Sequence, residues 1–144
     1  MKINLIRKDF ALYPAMDEDM EKMLKLKKGA PFEANIRQVR NYPFLRKFFA
    51  LINVSWEFLN EQQQEFFHNS KEGFRHTLTM AAGYYDTIYS VSDQQWVQTP
   101  KSISFDKMSE AEFDKLYESV VNVIFKLFLE RVDKEQFYEA LKDF

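Results

Sequence analysis

Apolar residues recur at helical spacing over several stretches of the chain and alternate with polar ones over others. Leu45, Phe48, Phe49, Ile52, Trp56 and Leu59 form one stripe of a helix from Pro43 to about Asn60, with Arg46, Asn53 and Glu57 on the other side. Phe113, Leu116, Tyr117, Val120, Ile124, Leu127 and Phe128 form a second, widened by Val121, Phe125 and Leu129. That width predicts a helix over Ser109–Val132 that is central and mostly buried, opened by the capping box Ser109-Glu-Ala-Glu112. Met16, Met20, Met23 and Leu24 predict an earlier helix from Asp17, its acids leading and lysines following, ended by Lys28-Gly29. Glu61–Arg75 reads as helix, and Leu78–Ala82 as a short apolar run stopping at Gly83. Asp133 caps a last helix to about Lys142.

Alternation predicts the strands. Lys2–Arg7 reads as one, continued by Phe10–Tyr13 across a bend, and Phe32–Val39 as another. Tyr84–Ser90 and Gln95–Thr99 flank the polar turn Val91-Ser-Asp-Gln94 as a hairpin, which Lys101–Phe105 would extend. Pro100 keeps that end out of a central strand. The sum is one α+β domain over residues 1–144, a small antiparallel sheet packed against several helices.

Composition narrows the functional classes. Fifteen Phe against three Gly and four Pro, with 46% hydrophobic residues, supply a packed core and argue against disorder. Zero Cys removes disulfides, thiol nucleophiles and thiolate metal sites. No apolar run is long enough to span a bilayer, and the charged start Met-Lys-Ile-Asn-Leu-Ile-Arg lacks a signal core, so a cytoplasmic protein is expected. With two His and no HExxH, Glu65/His68 and Glu72/His76 make no metal set; no GxSxG elbow or Gly-rich phosphate loop occurs. No catalytic residue, cofactor or metal is predicted.

The net charge of −2 conceals an uneven distribution. Between Lys22 and Lys47 stand eight cations and one acid, whereas Asp106 to the end holds ten acids and six bases. Within the basic part, Arg37, Arg40, Arg46 and Lys47 are interleaved with Tyr42, Phe44, Phe48 and Phe49. Cations that track phosphates and rings that stack on bases are how single-stranded nucleic acid is held. Phe48 and Phe49 are expected in the core. This leaves Arg37, Arg40, Arg46 and Lys47 as phosphate contacts and Tyr42 as a stacking ring.

Gln38–Asn53 and Pro100–Tyr117, with the Gly83-Tyr-Tyr-Asp86 turn, resemble a family of phage and prophage proteins without an assigned function. The chain is shorter than that family around Glu61–Ser70. Arg40, Arg46, Lys47, Phe48 and Phe49 also stand at a spacing similar to that of the NinB (Orf) recombination proteins of lambdoid phages, although Pro43-Phe44-Leu45 replaces the polar residues before that family's Arg-Lys. The NinB resemblance implies single-stranded DNA binding. The resulting expectation is a phage-encoded, non-enzymatic single-stranded nucleic-acid binder for recombination or replication in the host cytoplasm, with a homodimer left open. The alternative is a phage protein that binds and inhibits a host defence protein through its acidic surface.

Overall fold

The structure, a computed structural model, describes residues 1–37 and 41–143. Contacts cluster into two compact units, Met1–Arg37 and Gln38–Phe144.

The first unit opens with an antiparallel hairpin, β1 (Leu5–Lys8) and β2 (Ala11–Pro14), in register Leu5↔Pro14 to Lys8↔Ala11. The bend foreseen between Arg7 and Phe10 is the two-residue turn Asp9-Phe10, and Asp9 takes φ +54, which short polar side chains tolerate. The root of the hairpin is fixed to α1 (Asp17–Leu24). Asn4 donates its backbone N–H (2.8 Å) and its side-chain amide (3.3 Å) to Oδ1 of the fully buried Asp19, and Ala15 N–H bonds the Asn4 carbonyl. Asp17, Glu18 and Asp19 lead α1, as the helix dipole favours. The helix ends at Leu24 rather than at Lys28, and Gly29, at φ +78, turns the chain separately.

The strand expected over Phe32–Val39 does not form through Arg37, and its last two residues lie outside the described ones. Alternation specifies a strand only when one face is covered and a partner completes the ladder. Phe32 and Ile36 are 57% and 68% exposed, so neither condition holds there.

The second unit is built around α2 (Tyr42–Phe58), with Pro43 in its first turn. Asn41, just before it, donates both amide hydrogens, to the carbonyls of Phe105 and Met108 at 3.0 Å each. The α2 stripe is buried as the periodicity requires except for the half-buried Trp56, but Leu51, Val54 and Ser55 are buried as well. Asn53, expected on the polar side, is buried with Oδ1 lacking a partner among the described residues, because α2 is covered on more than one face.

The helix foreseen over Glu61–Arg75 is two: α3 (Glu61–Phe66) and α4 (Lys71–Ala81). Between them His68 and Asn69 adopt φ +53 and +54, which no continuous helix permits, and Ser70 caps α4. The apolar run at Leu78 belongs to α4, which stops before Gly83 at φ +96. The hairpin β3 (Tyr85–Ser90) and β4 (Gln95–Pro100) has the expected register, Ser90↔Gln95 to Tyr85↔Pro100. Lys101–Phe105 does not extend it beyond one hydrogen bond, Lys101 N–H to Tyr84 O; Phe105–Lys107 coils into a 3-10 turn instead.

The capping box at Ser109 is complete, with Glu112 N–H to Ser109 Oγ at 3.2 Å and Ser109 N–H to Glu112 Oε2 at 2.8 Å. It opens α5 (Glu110–Leu127), the longest described helix, which buries Phe113, Leu116, Val120 and Ile124. Leu127 departs from the expected stripe and is 55% exposed, while Leu129 is buried. Phe128 and Leu129 N–H both close onto the Ile124 carbonyl, which ends the helix directly after Leu127, and Leu129, beyond the last turn, takes the buried position. Asp133 caps α6 (Lys134–Lys142). α2 packs against α4, α5 and α6, and β4 against α4. The class is α+β, with two two-stranded antiparallel sheets among helices. Ser109→Ala should cost about 1 kcal/mol in a urea titration, the usual value of an N-cap. Glu112→Gln, which preserves the reach back to Ser109, should cost less.

Candidate nucleic-acid interface

Helical spacing assembles one open groove in the second unit. Tyr42, Pro43, Arg46, Lys47 and Ala50 lie within two turns of α2 and share a side of it. Tyr138, Leu141 and Lys142 recur at three and four residues along α6, and Tyr117 comes from α5. Together they line a cavity of about 430 Å3, within the size range of ligand pockets. Pro43, Ala50 and Leu141 give it an apolar floor. Among the described residues its lining holds three tyrosines, three cations and no carboxylate.

The three cations differ in what already occupies them. Lys47 Nζ stands 4.7 Å from the Tyr117 ring centroid and 5.8 Å from that of Phe113, a cation–π arrangement over two rings. Phe113 in turn stacks on Phe44 at 4.6 Å, which fixes the α2–α5 contact behind Lys47. Lys142 Nζ pairs with Glu139 at 3.2 Å, a fully solvated pair of small energy. Arg46 is exposed and makes no ion pair or hydrogen bond among the described residues.

The tyrosines differ likewise. One face of Tyr117 is taken by Lys47, and burial followed by the neighbouring Tyr138 pushes its phenol above the usual tyrosine range. It therefore stays a neutral hydroxyl at physiological pH. Tyr138 is exposed and Tyr42 half-buried, so these two rings are open to a planar partner.

Of the five residues the sequence put forward, the groove brings together Tyr42, Arg46 and Lys47. Arg37 is exposed in the first unit, and Arg40 lies outside the described residues. Tyr117, Tyr138 and Lys142 were missed. Tyr117 was assigned to the core stripe, yet it is only half-buried; Tyr138 and Lys142 carry a detectable signal, an i, i+4 aromatic–cation pair on a short amphipathic helix.

Other chemistry finds less support. Among the described residues no group of three or more His, Asp or Glu could hold a metal ion. His76 Nε2 lies 3.9 Å from Glu72, and its pKa is lowered by burial and by Arg75, with Glu72 opposing. His68 falls beyond the end of α3, so it does not share a helix face with Glu65. No helix of the described residues is long and apolar enough to cross a membrane.

The family described as "Protein of unknown function (DUF1367)" matches residues 2–66 and 59–140, nearly the whole chain. No curated protein and no solved structure matches it.

Proposed function

The chain belongs to this family, whose description names no activity, and we propose that it binds single-stranded nucleic acid through the α2–α5–α6 groove. The observation that carries this reading is the convergence of Tyr42, Tyr138, Arg46, Lys47 and Lys142 on one groove with no lining carboxylate among the described residues. Single strands present both phosphates and unpaired base faces, and this lining offers a counterpart to each. Arg46 and Lys142 are exposed and reach phosphate directly. Lys47 is held over Tyr117 at 4.7 Å, so it acts from a fixed position. Tyr42 and Tyr138 supply the stacking surfaces. The resemblance to phage proteins and to NinB supports a role for this binding in phage recombination or replication, within a host cytoplasm.

The test is binding of a labelled single strand across a salt series, with DNA and RNA in separate titrations. A log–log slope whose magnitude grows by about 0.7 for each phosphate contact supports the groove. Absence of binding at low salt would turn the assignment to a host-protein partner.

A further inference from the structure

Every side chain from Leu5 to Tyr13 is exposed, on both faces of the β1–β2 hairpin. A two-stranded ribbon bare on both sides is marginal by itself. This one is secured at its root, where Asn4 is bound twice to the buried Asp19 carboxylate. It is braced at its turn, where Arg7 Nε donates to the Asp9 carbonyl at 2.9 Å. Phe10 stands at the turn with its full surface in water, 102% exposed. The root and the brace set the backbone turn that carries Phe10, and its ring has no contact among the described residues.

The register sorts the remaining side chains. Arg7 pairs with Leu12 and Lys8 with Ala11, so alternation puts Arg7 with Leu5, Leu12 and Pro14 on one face and Lys8 with Ile6, Ala11 and Tyr13 on the other. Each face therefore carries one cation beside the aromatic turn. Among the described residues only the Nε of Arg7 is engaged, leaving the terminal guanidinium nitrogens as donors, and Lys8 stands 6.0 Å from the Tyr13 centroid, at the outer limit of a cation–π contact. Asp9 is the acid of the turn.

We propose that this hairpin is an arm for a nucleic-acid duplex: Phe10 wedges between stacked base pairs, and Arg7 and Lys8 meet the two phosphate backbones that flank a groove. A duplex offers a backbone on each side of an inserted ribbon, matching one cation per face, whereas a single strand offers one backbone. Apolar side chains that unstack a base step in this way kink the duplex and are flanked by cations on its backbones.

The test uses the full chain and a labelled duplex carrying 2-aminopurine, beside the single strand of the same sequence, in DNA and RNA forms. Wild type should bind the duplex and raise the 2-aminopurine emission. Phe10→Ala should weaken duplex binding about tenfold and abolish the emission change, Phe10→Trp should restore both, and Arg7→Glu with Lys8→Glu should abolish duplex binding. Melting temperatures should be unchanged for the Phe10 variants, since that side chain is exposed. Arg7→Glu also loses the bond to the Asp9 carbonyl, so Lys8→Glu alone is the structurally neutral charge variant and should weaken duplex binding as well. Arg46→Glu with Lys47→Glu separates the two sites: it should remove single-strand binding and leave the emission response to duplex. Equal duplex affinity and emission for wild type and Phe10→Ala would overturn the arm, as would a Phe10→Ala defect confined to the single strand.

Discussion

Phe74→Ala should lower the unfolding free energy by about 3–5 kcal/mol, the range for deleting a fully enclosed aromatic ring. Phe74 has no exposed surface, and three rings surround it: Phe67 at 5.3 Å, Phe128 at 5.5 Å and Trp56 at 5.7 Å. These neighbours come from α2, from the turn after α3 and from the end of α5, so the cavity left behind would border all three elements. Large rings pinned by separate elements cannot collapse together without moving backbone, which keeps the penalty high. Leu127→Ala is the contrast, expected within about 0.5 kcal/mol of wild type because the side chain faces water. Urea titrations of the two variants decide the matter, and comparable losses would mean that the buried face of α5 has been assigned wrongly.

Arg46→Glu with Lys47→Glu should abolish single-strand binding, since it reverses two of the three cations lining the groove. The milder Arg46→Ala with Lys47→Ala should lower the magnitude of the salt slope by about 1.4, twice the value per phosphate on a single strand. Both side chains are exposed, so stability should fall only by the Lys47–Tyr117 interaction, about 0.5–1 kcal/mol. Tyr42→Ala should weaken binding without altering the slope, because it removes stacking and no charge. An unchanged affinity in the Glu variant, with the fold intact by circular dichroism, would eliminate the groove as the binding surface.

The readability of the chain followed the range of the interactions that decide each element. α2, α5 and α6 were legible because their periodicity and caps are written within one helical turn, as at Ser109–Glu112 and Asp133. The β3–β4 hairpin was legible from alternation around its polar turn, whereas β1 and β2, which read as one strand continued across a bend, fold back on each other as a hairpin. The break between α3 and α4 was not legible, because nothing in the composition of His68-Asn69 demands two left-handed residues, and the Ser70 cap that opens α4 lies inside a stretch that otherwise reads as helix. Phe32–Arg37 alternates like a strand but lacks the covering layer that would make alternation count. The same limit applies to the site. Tyr42, Arg46 and Lys47 are neighbours in sequence, whereas Tyr117 and Tyr138 join them only through the packing of α5 and α6.

If the groove binds a strand as proposed, Asn41 would set how fast it does so. Its two bonds to the Phe105 and Met108 carbonyls hold the first turn of α2, where Tyr42 stands, before any partner arrives. A strand entering the groove would meet walls already in position, and the ordering cost of about 0.5–1.5 kcal/mol per immobilised side chain would be smaller than at a loop-borne site. Association would then be limited by diffusional encounter and steered by the three cations, so its rate would fall steeply with ionic strength. Loosening that first turn would instead slow capture even where every contacting side chain is intact.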